Sequence, residues 1–244
     1  MSIFNNNQYR PSGFGYLPVV TKNIIIINVI MFVLSLVLQN QGISLADYLG
    51  LHYYLAPAFK PHQFITYIFM HGSFQHILFN MLGVYIFGQV LEQVWGPKRY
   101  LIFYLLTGLG AALAQYVIMN FEIGAGLDYY NEKIVSPYFS ASDKAQLIEE
   151  KFQYLNAHVI VGASGSLFGL LGAFGMLFPN RELYLYFLFP VKAKWLVIAY
   201  GAFELFSGIQ NNPMDNVAHF AHIGGLLVGI IIVLIWRRNK QHFY

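Results

Sequence analysis

The sequence predicts an all-α polytopic membrane protein with six transmembrane helices and both termini in the cytoplasm. Three observations predict it. Only 10% of the 244 residues are charged and 57% are hydrophobic, whereas a soluble domain carries about a quarter charged residues. Six apolar runs, at about 23–39, 74–91, 100–120, 160–178, 195–212 and 216–236, have the length of roughly 17–25 residues that crosses a hydrocarbon core about 30 Å thick. The basic residues also sort by side. Ten of the 14 Lys and Arg residues, from Arg10 and Lys22 to Arg237, Arg238 and Lys240, fall on one side of the six spans, and only Lys60, Lys133, Lys144 and Lys151 fall on the other. Short cytoplasmic loops are the ones enriched in Lys and Arg, so the first side is assigned to the cytoplasm.

Taken in order, residues 1–22 are polar and punctuated by Gly and Pro, which predicts a disordered cytoplasmic lead-in rather than a cleavable signal. Residues 23–236 then form one membrane domain. The first long outer loop, 40–73, contains FITYIFMHG, too apolar for a solvated loop and too short to span, so it is expected at the interface or folded back on the protein. The second, 121–157, contains SASDKAQLIEEKFQYLN, with an N-cap candidate at Ser140 or Ser142 and Leu147, Ile148, Phe152 and Leu155 at helical spacing. That pattern predicts an amphipathic interfacial helix. A basic cytoplasmic tail, 237–244, follows the last span.

Composition excludes several classes of chemistry. There is no cysteine, so disulfides and thiolate metal sites are ruled out, and the basic residues are scattered over loops rather than gathered into a nucleic-acid groove. What remains is polar residues inside apolar spans, where each is costly and invites a functional reading. Three groups stand out: HGSFQHILFN from His71 to Asn80 on span two, GASG from Gly162 to Gly165 on span four, and HFAHIGGLLVG from His219 to Gly229 on span six.

Their depths agree. At 1.5 Å of rise per residue, Ser164 lies roughly 26 Å before Arg181, His222 roughly 22 Å before Arg237, and His76 and Asn80 roughly 24 and 18 Å before Glu92, each marker being taken as the cytoplasmic end of its span. A serine, a histidine and an asparagine converging on one level are what a nucleophile, its base and an oxyanion donor require. Glycines at 162, 165, 169, 172 and 175 on span four and at 224, 225 and 229 on span six leave little bulk between the two backbones, which permits hydrogen-bond reach across the pair. Backbone N–H groups at the start of the span-four helix add a further donor.

The pattern H-x4-H-x3-N on span two, G-x-S-G on span four and A-H-x-x-G-x-x-x-G on span six, with Gly88 to Glu92 and the W-G-P-K-R-Y turn after it, resembles the rhomboid intramembrane proteases over roughly residues 60–236. The resemblance implies a rhomboid-like bundle in which Ser164 is the nucleophile and His222 its base, with His76 and Asn80 in the oxyanion hole. It places Phe168 against the histidine ring. His71 reads either as a local brace of its loop or as a contributor at the edge of the active site, and Gly162 as a supporting residue. The resemblance implies a serine endopeptidase that uses no cofactor and no metal, acts on single-span membrane proteins near the outer face of the bilayer, and resides in the cell membrane, a bacterial inner membrane. The family's frequent Trp-Arg in the first outer loop is replaced by His62-Gln63, so that loop is expected to be anchored differently. No acid is evident that would orient His222, in keeping with a Ser-His dyad. Glu204, inside span five, reads as part of a polar network, and His219 as a structural hydrogen-bonding residue.

Two competing readings follow from the same residues. Eight histidines, with His71, His76, His219 and His222 as the candidates, raise a metal site, but no H-E-x-x-H or comparable ligand spacing is present. A catalytically silent rhomboid-like binding or quality-control factor is the other, and such relatives generally lack the serine or the histidine retained here.

Overall fold

The computed structural model describes residues 17–185, 189–210 and 217–238. Most of the expected disordered lead-in, the junction 211–216 and the tail beyond 238 lie outside the described residues. Among the described residues four helices are long and apolar enough to cross a membrane by length and composition: α1 (Val19–Gln39), the helix Phe74–Trp95, Pro97–Val135 and His219–Arg238. The helix Ser164–Leu177 is apolar but has only 14 residues. The helix Ala193–Gln210 has 18 residues but is less apolar, carrying Lys194 and Glu204.

The start of α1 corrects the expectation of disorder through residue 22. It begins at Val19 because the buried Glu92 carboxylate caps it, accepting from the Val20 N–H at 2.9 Å, the Thr21 N–H at 2.7 Å and the Thr21 hydroxyl at 2.8 Å. A carboxylate suits a helix N-terminus, where backbone N–H groups are unpaired and the helix dipole is positive. Glu92, a charged marker near the end of its apolar run, is therefore also a buried tie between helices.

The loop between α1 and the second apolar run, expected on the outer side, holds two short helices, α2 (Leu45–Leu49) and α3 (Gln63–Thr66), and a two-residue strand β1 (Leu51–His52). Gln63 organises it. Its Oε1 accepts from the His52 N–H at 3.3 Å and the Lys60 N–H at 3.1 Å, and its Nε2 donates to the Tyr48 carbonyl at 3.3 Å and the Ala58 carbonyl at 3.0 Å. His62 Nε2 lies 3.0 Å from the same Tyr48 carbonyl. The His62-Gln63 pair thus braces the loop, the glutamine through its amide and the histidine through its ring. The apolar FITYIFMHG segment turns inward, and the Tyr67 hydroxyl donates to the Gly108 carbonyl at 2.7 Å.

The second apolar run forms α4 (Phe74–Gly83), a π-helical turn (Val84–Gly88) and α5 (Gln89–Trp95). Ser73 caps α4 by accepting from the His76 N–H at 3.2 Å. Gly96, at φ 76°, and Pro97 at the first helical position make the turn into α6 (Pro97–Val135), the placement each residue favours. At 39 residues α6 is about 58 Å long, far more than a bilayer core needs. Its last turns carry Asp128, Asn131, Glu132 and Lys133, which extends the helix well past the expected end at 120. After five residues the chain returns as α7 (Ala141–Ala157), begun by a capping box of Ser140 and Asp143. Hydrogen bonds from Ser140 hold the Asp143 carboxyl below its ordinary pKa. Leu147 and Leu155 are buried, while Ile148 and Phe152 remain exposed.

Strand β2 (Val159–Ile160) pairs antiparallel with β1 and leads into α8 (Ser164–Leu177). A hairpin of β3 (Glu182–Leu185) and β4 (Phe189–Lys192) then precedes α9 (Ala193–Gln210) and α10 (His219–Arg238). The centre of the molecule is α6, α8 and α10 packed at small residues. A Cβ on Gly229 would lie 2.7 Å from the Gly169 carbonyl oxygen, and one on Gly169 would lie 2.5 Å from Thr107 Cβ. The Ser166 hydroxyl donates to the Tyr104 carbonyl at 2.8 Å, crossing from α8 to α6.

Candidate active site

The close approach of α8 and α10 sets the geometry. Ser164, the first residue of α8, points its Oγ to 2.8 Å from His222 Nε2 on α10. One turn after the serine, Phe168 stacks on the His222 ring, with centroids 4.4 Å apart and planes 7° from parallel. The ring is thereby fixed on one face by packing and at one nitrogen by the serine.

Gly162 is required twice over. Its φ of 129° lies where a side chain is strained, and a Cβ there would fall 2.7 Å from His76 Nε2 and 3.5 Å from Ser164 Oγ. Its N–H donates to the Tyr67 carbonyl at 3.0 Å, which ties the entry of α8 to the inward-folded part of the first outer loop. His76 is half-buried beside that entry. Asn80, one turn further along α4 and 4% exposed, donates from Nδ2 to His71 Nε2 at 3.0 Å. The rings of His71 and His76 meet edge to face at 4.9 Å. His222 thus contacts Ser164 at the start of α8, His76 lies across Gly162 from it, and His71 and Asn80 pair with each other beside His76.

An acid that was not evident in the sequence lies beside His222. Glu204 on α9, 6% exposed, places Oε2 at 2.9 Å from His222 Nδ1 and 2.6 Å from His219 Nδ1. The contact to His219 is a hydrogen bond, while that to His222 is close but not in line for one. Glu204, His219 and His222 present ligand-type atoms within 4.8 Å of one another. Two of the three separations are those of hydrogen-bonding partners and shorter than the roughly 3.3 Å between donors of a tetrahedral zinc site with bonds near 2 Å. The spacing of Glu204 from His219 and His222 along the chain, 15 and 18 residues, carried no local signal. Only its burial in a polar-poor helix marked it.

A cavity of about 330 Å³ opens beside His71, between the end of α1, residues 42–46 and Val161, with Ser35, Gln39 and Ser44 among its polar walls.

A polytopic helical membrane protein with a serine and a histidine in contact between two glycine-packed helices is the class this fold and site define. The profile of the Rhomboid domain matches residues 58–239, and the chain belongs to the rhomboid family. Among its relatives is the putative rhomboid protease YdcA of Bacillus subtilis, 27% identical over 182 residues, a match that covers 74% of this chain and 69% of that protein. Rhomboid-like protein 11, chloroplastic, of Arabidopsis thaliana is 28% identical over 219 residues, 84% of this chain and 64% of the relative. Rhomboid protease GluP of Bacillus subtilis is 28% identical over 166 residues, 68% of this chain and 24% of its own length. The match thus covers less than two thirds of two of these three relatives.

Proposed function

We propose that this chain is an intramembrane serine endopeptidase that cleaves single-span membrane proteins near the outer face of the bilayer. The observation that carries the reading is the 2.8 Å contact between Ser164 Oγ and His222 Nε2 in a chain of the rhomboid family. Six spans, with α8 and α9 joining the four longer helices, and cytoplasmic termini fit the distribution of Lys and Arg. A cell membrane, the inner membrane if the source is bacterial, is the corresponding location.

Ser164 Oγ attacks the scissile carbonyl carbon as His222 Nε2 takes its proton. Negative charge then develops on the carbonyl oxygen. Donors for it are the second N–H of Asn80, the first being occupied by His71, together with His76 and the backbone N–H groups that open α8. His71 acts here by holding the Asn80 amide in one orientation. Collapse of the tetrahedral species breaks the C–N bond, His222 returns the proton to the leaving amine nitrogen, and an ester to Ser164 remains. Water, deprotonated by His222, hydrolyses that ester. The cavity bordering His71 is the candidate reservoir.

The contact between serine and base also argues against a catalytically silent role. The test is cleavage of a model single-span substrate in proteoliposomes by the wild type and Ser164→Ala. Loss of turnover in a variant of unchanged thermal stability supports the proposal, and near-normal turnover overturns it.

A further inference from the structure

Helix α9 buries few of its residues. Ala193 and Leu196 are near its start, and Glu204 is the remaining buried position. A carboxylate placed in an otherwise exposed, apolar helix is costly unless it meets donors. Glu204 accepts one hydrogen bond, from His219, and lies 2.9 Å from His222 Nδ1, both on α10. The approach is made possible by Gly208, one turn later on α9, where a Cβ would lie 2.9 Å from the Phe220 ring and 3.2 Å from His219 Cβ.

We infer that Glu204 is a positioning residue that keeps the His222 proton on Nδ1, so that Nε2 is free to accept from Ser164. The inference rests on the assignment of Ser164 and His222 above. A neutral imidazole carries one proton on either nitrogen, and the partner of one nitrogen decides which. Were the proton on Nε2, His222 would face Ser164 as a donor and turn the Nδ1 lone pair toward a carboxylate oxygen 2.9 Å away, which is repulsive. With the proton on Nδ1, both contacts are attractive. His219 fixes the carboxylate by donating from its own Nδ1 at 2.6 Å, and Phe168 limits the ring from its face.

The proton count closes without a transfer to the acid. As Ser164 Oγ forms its bond to the carbonyl carbon, its proton goes to His222 Nε2, the imidazole becomes an imidazolium, and Glu204 remains an anion that offsets the new charge. The same proton then leaves Nε2 for the amine nitrogen. The contact at rest is close but unaligned, so the effect should fall below the roughly 10⁴-fold loss known when an aligned carboxylate partner of such a histidine is replaced by its amide.

The test is steady-state cleavage by Glu204→Gln and Glu204→Asp in proteoliposomes, with melting temperatures and pH profiles measured beside His222→Ala. The charged and polar groups that face His222 are Glu204 from α9, His219 on α10 and Ser164 from α8, with His76 of α4 beyond Gly162. Glu204→Gln is expected to lower kcat by about 10²-fold with KM little changed. It should also move the acidic limb of the kcat/KM profile to lower pH, because the imidazolium loses a neighbouring negative charge. Glu204→Asp, which keeps the charge at longer reach, should fall between the two with its limb near the wild-type position, and it decides the matter if the amide variant does not fold. His219→Ala, which frees the Glu204 carboxylate but leaves its charge in place, should lower kcat less than Glu204→Gln does, and a larger loss than in Glu204→Gln would overturn the inference. An unshifted limb in Glu204→Gln, or wild-type kcat in both Glu204 variants beside an inactive His222→Ala, overturns this inference alone. Retained activity in His222→Ala overturns the underlying assignment and this inference with it.

Discussion

Replacing Gly229 by alanine should damage the site from a distance of two helical turns. The new Cβ would stand 2.7 Å from the Gly169 carbonyl oxygen and 2.9 Å from Gly169 Cα, whereas unstrained contacts need about 3.5 Å. Both obstructing atoms belong to backbone, so the relief must come from α8 and α10 separating by about 0.8 Å. Transmitted along the helices, this would lengthen the 2.8 Å contact between Ser164 and His222 to about 3.6 Å, beyond hydrogen-bond range. Displacements approaching 1 Å at reacting groups cost up to about 10²-fold in rate. Overpacking itself costs about 1–3 kcal/mol, part of which the better helix propensity of alanine returns. Gly201→Ala is the control, since its Cβ would meet only the flexible end of Leu226 at 3.2 Å. Turnover of a transmembrane substrate in proteoliposomes, read with thermal melting, should show Gly229→Ala about 10- to 100-fold slower with only a modest fall in melting temperature, and Gly201→Ala close to wild type. Undiminished turnover in Gly229→Ala, or equal loss in both, would refute the claim that helix spacing sets the catalytic contact.

Asn80→Ala removes a donor whose value rises as charge appears on the carbonyl oxygen, so kcat should fall roughly tenfold or more with KM little changed. An altered KM with unchanged kcat would instead make Asn80 a substrate-binding or bracing residue. Prolonged dialysis against a chelator should leave the rate unchanged, and strong inhibition reversed by zinc would reassign Glu204, His219 and His222 to a metal. Gln63→Ala removes the partner of the His52 and Lys60 N–H groups and of the Ala58 carbonyl, while the Tyr48 carbonyl keeps His62, at up to about 1–3 kcal/mol for each group left unpaired away from water. Its melting temperature should drop by several degrees, and an unchanged melt would show that the first outer loop does not depend on it.

Much of this was legible because lipid leaves so few choices. Apolar runs of spanning length located the helices, and the polar residues within them, Ser164, His222, His76 and Asn80, were conspicuous for being there. The glycines of α8 and α10 forecast the close approach, since only a missing Cβ admits a carbonyl as near as that of Gly169 to Gly229. Other features depend on long-range pairings that no local pattern encodes. Glu92 resembles the charged end of a span until α1 is seen resting on it, 71 residues away. Gln63 looks like an ordinary loop residue, and its four backbone partners emerge only when the loop closes. Glu204 was recognised as an unusual intramembrane acid, but its contact with His222 depends on how α9 lies against α10, which Gly208 hints at only in retrospect. Helix α6 outruns its expected span because residues 121–135 carry polar side chains, and polarity marks the end of a span without marking the end of a helix.

The central claim is that Ser164 is a nucleophile activated by His222, and covalent labelling tests it without knowledge of the natural substrate. The purified protein in detergent or liposomes is treated with a serine-directed fluorophosphonate, digested, and the modified residue located by mass spectrometry. The account predicts a single adduct on Ser164 in the wild type and its loss in His222→Ala. An adduct on another serine, or equal labelling of Ser164 in the absence of His222, would contradict it.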